Sequence, residues 1–237
     1  MKKYRLFLPL VALLMIGCGG SGSSKKPADT TPEPLAVYDF SEFIVPPVEI
    51  YYVYDTITYE KVEGNYTEVD DDSFYRKYRY DDNSTITILD DSIEQKKTII
   101  GTNDIIIENL LLEEEKVILE RNISVGDVVF SSIINETRDG FSGETVTDCI
   151  ISNHLEEKII DDKNFMNILE QTCVSIFKAT GSGESTREDV LTVITYFAKD
   201  NAEISSTNES CTLVKYGEEV LEDNCTKVES TLDLVIP

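Results

Sequence analysis

The chain has 237 residues and a formal net charge of −24, with 45 acidic against 21 basic side chains. Such a surface repels nucleic-acid backbones and anionic lipid heads, which excludes both as electrostatic partners. Hydrophobic residues make up 41% of the chain and fall in short alternating runs, which excludes a disordered acidic polymer.

Lys2, Lys3 and Arg5 form a positive start. Leu6 to Ile16 is then apolar but too short to span a bilayer comfortably, and the small residue Gly17 precedes Cys18. Met15-Ile16-Gly17-Cys18 resembles the lipobox of bacterial lipoproteins, with Met15 where leucine is commonest. That resemblance implies that residues 1–17 are a cleaved signal peptide and that Cys18 becomes the acylated first residue. Its partner is then the membrane, through acyl chains that contribute about 0.8 kcal/mol per buried methylene. Gly19, in place of an aspartate, implies the outer membrane of a double-membraned envelope. An ordinary secretory signal or an uncleaved anchor competes with this reading, although the Gly/Ser stretch after Cys18 disfavours a continuing membrane helix. Residues 18–36, with Pro27, Pro32 and Pro34, read as a flexible tether of roughly 20 to 25 Å reach.

Residues 37–237 read as one β domain. Thr85-Ile86-Thr87-Ile88 and Ser230-Thr231-Leu232-Asp233-Leu234 alternate polar and apolar side chains, which predicts one buried and one wet face for each. Asp70-Asp71-Asp72, Asp81-Asp82-Asn83, Asp90-Asp91, Asp161-Asp162 and Asp200-Asn201 are predicted turns, because Asp and Asn bond their own backbone and tolerate turn geometry. Their spacing predicts a meander of short strands in a single curved antiparallel sheet or half-barrel, with little helix. Ile105 to Leu112 and Lys116 to Arg121 are predicted strands joined by a turn at Glu113 to Glu115. Asp162 to Gln171 has Phe165, Ile168 and Leu169 at helical spacing behind an Asp cap, so a helix competes there.

Beyond Cys18 there are four cysteines, an even number in a chain read as exported, so disulfides are expected. Three pairings are open. Cys149 and Cys173 are symmetric about Asp161, and Cys211 and Cys225 about Glu218; a hairpin closing at each turn would set each pair across two strands. Zinc is disfavoured, since no Cys-x-x-Cys occurs and His154 is the only histidine.

Little else carries chemistry. Gly181-Ser182-Gly183-Glu184-Ser185 lacks the nucleophile elbow, and His154 reads as a surface or turn residue. No catalytic residue, metal ligand or cofactor is assigned. Asp70 to Asp72 lack the glycine-centred alternation of a calcium loop and read as a solvated rim. Eight of the 12 tyrosines stand between Tyr51 and Tyr80. Tyr75-Arg76-Lys77-Tyr78-Arg79-Tyr80 interleaves rings with positive charge as single-strand binders do, but pairing with Glu60, Glu63, Glu68 and Asp70 across strands is the stronger reading. Asn65, Asn83, Asn122 and Asn224 each have an acid two residues before and Ser or Thr two after. This resembles the extended acceptor of bacterial N-glycosylation, with Asn83 the most accessible by its turn.

Ile123-Ser124-Val125-Gly126-Asp127-Val128-Val129-Phe130, Asn164 to Leu169, and Thr195-Tyr196-Phe197-Ala198-Lys199-Asp200-Asn201-Ala202-Glu203-Ile204 together resemble exported bacterial β-sheet proteins of unknown function. Asp200 and Ala202 stand where those proteins have glycine. The resemblance implies a strongly curved antiparallel sheet, similar in outline to lipoprotein carrier folds, and carries no catalytic content. The expected function is a non-catalytic envelope module that binds a hydrophobic ligand or an envelope protein, with a purely structural protein as the alternative. An apolar cavity of several hundred cubic ångströms would favour the former, and an interior filled by side chains the latter.

Overall fold

Tight reversals set the architecture of the computed structural model, which describes residues 35–81, 84–90, 93–111 and 116–236. Glu63-Gly64, Asp139-Gly140 and Asp161-Asp162 have φ angles of 52° and 85°, 49° and 83°, and 46° and 62°. Two successive left-handed residues make a type I′ turn, whose twist matches that of the strands it joins. At Gly217-Glu218 only Gly217 has positive φ, 60°, as the first position of a II′ turn requires.

In chain order the elements are β1 (Tyr38–Asp39), a single helical turn α1 (Ser41–Ile44), β2 (Ile50–Val62), β3 (Asn65–Asp81), β4 (Ser84–Leu89), β5 (Ile93–Ile100), β6 (Asp104–Asn109) and β7 (Lys116–Glu120). There follow β8 (Asn122–Ile123), β9 (Val128–Arg138), β10 (Phe141–Ile160), β11 (Lys163–Thr180), β12 (Ser185–Ala198), β13 (Ala202–Tyr216) and β14 (Glu219–Ile236). Twelve strands form one sheet in the order β7-β6-β5-β4-β3-β2-β14-β13-β12-β11-β10-β9. Two meanders are thus joined through the antiparallel pair of β14 and β2, where Ile236 faces Tyr51. The edge strands β7 and β9 approach each other without a ladder, so the sheet curves into a nearly closed barrel. The predicted single curved antiparallel sheet with little helix is the fold observed.

The segment before β2 plugs the concave side. Tyr38 pairs with Ile123 in the small β1–β8 ladder, and the Phe40 amide donates to the Arg121 carbonyl at 2.7 Å. Arg121 grips Asp39 through Nε and Nη2, at 2.9 and 2.6 Å, and this ion pair and hydrogen bond hold the Asp39 carboxyl below its usual range despite burial. Phe40 and Phe43 are thereby driven into a core with Ile105 and Leu119 of the first meander and Ile151 and Leu169 of the second. Apolar contact therefore bridges the gap that no ladder closes. A second core gathers Tyr52, Tyr54 and Tyr78 around Ile168, Ile204 and Leu232.

Several expectations need correction. Asp70-Asp71-Asp72 is not a turn: the chain reverses earlier, at Glu63-Gly64, where glycine supplies the left-handed φ, and the three aspartates lie exposed within β3 opposite Thr58, Ile57 and Thr56. Asp162 to Gln171 is not a helix but the turn and first half of β11, since the I′ turn feeds directly into a ladder with β10. Thr85 to Ile88 has no wet face, all four residues being buried. In β14 a register shift between Leu232 and Leu234 leaves Leu232 fully buried and Leu234 half exposed, breaking the predicted alternation. The first predicted strand after residue 100 ends at Asn109 rather than Leu112, and the expected turn at Glu113 to Glu115 lies outside the described residues. The strands of the second meander are long, up to the 20 residues of β10, so turns do not recur at the short spacing predicted.

Candidate functional site

The cysteines pair as hairpin symmetry suggested, Cys149 with Cys173 and Cys211 with Cys225, with Cα separations of 3.9 and 4.1 Å. The turns alone do not achieve this. Counted from Asp161-Asp162, the ladder would set Cys149 opposite Val174; an extra residue, Ser152, bulges from β10 and shifts the register by one. In the second hairpin the ladder from Gly217-Glu218 would set Cys211 opposite Asn224, and Leu221 bulges from β14 to the same effect. A one-residue slip also inverts the face of a side chain, so each bulge decides whether a disulfide can form. The two bridges lie on opposite faces. Cys173 is aligned with Val193 and Cys211 with Val190, an odd number of residues apart on β12 with no bulge between them. Cys149–Cys173 belongs to the core around Phe40, on the concave side.

Cys18 and Asn83 lie outside the described residues. Asn65, Asn122 and Asn224 are exposed. His154 sits in β10 rather than a turn, half buried, with its ring stacked on Tyr38 at 4.6 Å. The tyrosine-rich segment is structural in part: Tyr52, Tyr54 and Tyr78 are fully or almost fully buried, packed edge to face. Its basic residues do form cross-strand pairs, but not with the acids expected. Arg79 meets Glu94 at 2.8 Å, Lys77 donates to the Tyr51 hydroxyl at 2.7 Å, and Arg76 reaches Glu203 at 2.7 Å. Glu60, Glu63, Glu68 and Asp70 lie toward the β2–β3 reversal, farther along the hairpin than Arg76 to Arg79.

Alternation along the strands assigns the concave face of the first meander. Tyr78, Thr87, Lys96 and Asn109 are register partners across β3, β4, β5 and β6, and Arg76, Thr98 and Ile107 follow at two-residue steps. Arg76 and Glu203 form a shielded pair, their side chains 14% and 17% exposed. Burial pushes the Glu203 carboxyl up, but the charge and hydrogen bond of Arg76 outweigh it and hold the carboxyl below its usual range. The Arg76 guanidinium also lies over the Tyr54 ring at 4.9 Å, and the Tyr54 hydroxyl donates to the Glu203 carbonyl at 2.7 Å. Arg76 Nε and the Tyr52 hydroxyl are buried without a hydrogen-bond partner among the described residues.

Beside this polar strip the barrel is not filled. A cavity of about 220 Å³ lies beneath the N-terminal segment, walled by Phe40, Ile44, Leu119, Phe130 and Phe197, with Lys96 and Gln171 at its polar side. A second, of about 330 Å³, lies between Gln95, Lys96, Ile107, Asn109, Leu111 and Val117. Lys96, Ile107 and Val117 line both, so the two adjoin. A larger hollow of about 380 Å³, lined by residues such as Ser142, Lys178 and Arg187, belongs to the opposite end of the second meander. Two of its cations are engaged, Lys178 with Glu188 and Arg187 with Asp139 and Asp189, and it lacks aromatic walls. The adjoining pair, one of them aromatic-walled, is thus the better site for an apolar molecule. No alternation pattern flagged it, because its walls come from six strands and the pre-β2 segment.

A cluster of Glu209, Cys211 and Cys225 has donor atoms within 4.8 Å of one another, but both sulfurs are spent in the disulfide. No helix among the described residues is long and apolar enough to cross a membrane. No protein-family model matches the chain, no curated protein is similar to it, and no solved structure matches it.

Proposed function

We propose that the protein is a lipid-anchored lipoprotein of the bacterial envelope, held at the outer membrane through Cys18, whose β domain is a non-catalytic binding module for a hydrophobic ligand. The observation that carries the binding reading is the adjoining pair of apolar cavities on the concave face, of about 220 and 330 Å³. Ligand pockets have this character, mostly apolar walls with a few placed polar groups. The anchor reading rests on the lipobox-like Met15-Ile16-Gly17-Cys18 and on an acidic surface that offers anionic membranes no charge attraction.

Mass spectrometry of the protein extracted gently from its native envelope should find a co-purifying lipid in the wild type, lost in Val117→Trp, which obstructs both cavities from the wall they share. Extraction without lipid, and no change on filling, would favour a structural role with no small ligand. Cys18→Ser should release the protein from the membrane or leave it unprocessed. Processed Cys18→Ser protein that still fractionates with the outer membrane would overturn the anchor.

A further inference from the structure

Lys96 occupies an unusual position for a cation in so acidic a protein. It projects from β5 onto the concave face, lines both cavities, and makes no ion pair or hydrogen bond among the described residues. The charges acting on it are those of Arg76 and Glu203, which pair with each other at 2.7 Å, so among the described residues the ammonium has no ion-pair partner of its own. Lys96 is half buried, and desolvation pushes its amine down from its ordinary range.

Aromatic walls stand on one side of Lys96, where Phe40, Phe130 and Phe197 line the first cavity, and the second cavity lies on the other, with Gln95 and Asn109 beside Ile107, Leu111 and Val117. From this arrangement we propose that the cavity pair takes a single-chain amphiphile with an anionic head, its carboxylate or phosphate on the Lys96 ammonium and its chain among the three phenylalanines. The inference rests on the ligand-binding reading above and adds the chemical class. A headgroup of opposite charge supplies the partner the lysine lacks, by a charge-assisted hydrogen bond. The combined space suits one chain, being at the small end of ligand pockets. Arg76 Nε and the Tyr52 hydroxyl are further donors in the same concave strip without a hydrogen-bond partner among the described residues.

Photo-crosslinking tests this on the full chain in its membrane, using dodecanoate, dodecanol and dodecyltrimethylammonium that each carry a terminal diazirine, with labelled peptides mapped by mass spectrometry. Dodecanoate should label peptides containing Phe40, Phe130 or Phe197 at least about tenfold more than the trimethylammonium probe, the size of one charge-assisted hydrogen bond. Lys96→Met should abolish that preference while retaining dodecanol labelling, and Lys96→Arg should restore it. Unlabelled dodecanoate and dodecyl phosphate as competitors then distinguish a carboxylate from a phosphate source. Equal labelling by all three probes, unchanged in Lys96→Met, would overturn the headgroup assignment and leave the hydrophobic-ligand reading standing. No labelling of these peptides by any probe would overturn both.

Discussion

The two meanders reach one sheet by different means. The first, β2 to β7, has strands that shorten toward its edge, no disulfide, and an interior of buried tyrosines, an ion pair and cavities. The second, β9 to β14, has strands of 11 to 20 residues and two bridges, one on each face. Long ladders distribute stability over many backbone hydrogen bonds, whereas the first meander depends on a few packed side chains and on the segment around Phe43. The aromatic-walled cavity lies where the short strands β5 to β7 face β9, β11 and β12. That is the expected location, since binding regions are drawn from the less stable parts of a fold.

This contrast can be broken by experiment. The largest effect is expected from removing both disulfides, which close loops with sequence separations of 24 and 14 residues and contribute about 3 kcal/mol each. Hydrogen exchange of the doubly Cys→Ala protein should lose protection first in β10 to β14; simultaneous loss in β2 to β4 would mean that the two meanders are one cooperative unit. Phe43→Ala should come next, costing about 4 kcal/mol in urea denaturation, since a buried ring of the core shared by the two meanders is deleted.

The Arg76–Glu203 pair should show a smaller and conditional effect. Glu203→Gln strands a buried guanidinium and should cost about 3 kcal/mol, while Arg76→Met combined with Glu203→Leu should be close to neutral. Because the folded Glu203 carboxyl titrates below its unfolded value of about 4.3, its contribution is present at neutral pH. It is lost as pH falls below that value and through the folded one. The wild type should thus lose stability more steeply than the double variant on acidification; parallel curves would remove the pair from the account. The smallest change is a gain. Asp200 is exposed with φ 64°, and Asp200→Gly should stabilise by about 0.5 kcal/mol in thermal unfolding, as relief of left-handed strain slightly exceeds the added chain entropy.

Much of the fold was legible locally. Asp161-Asp162 and Asp200-Asn201 mark real reversals, and Ala202, with φ 56°, stands beside Asp200 in the left-handed region where the resembled proteins have glycine. The acidic run at Asp70 misled because composition alone does not distinguish a turn from an exposed strand; the glycine at position 64 decided the reversal. Cysteine spacing suggested the right partners, but the register is made by Ser152 and Leu221, residues with no turn or bulge signature of their own. The cavity was beyond local reading. Lys96 and Phe197 meet there only because β14 pairs with β2 and the sheet curves, a relation that lies between distant segments and in no single run.

That same β14–β2 pair governs how the molecule assembles. Every other ladder of the large sheet except this one joins consecutive strands or their nearest turn, so each half can zip from its own hairpins at low contact order. Tyr51 and Ile236, by contrast, meet only after nearly the whole domain has been made. The loop-closure entropy of that contact rises only slowly with length, about 0.6 kcal/mol per doubling, so it burdens speed more than final stability. Until it forms, β2 and β14 each expose a long unpaired edge, and the finished barrel exists only once the two ends of the domain lie side by side.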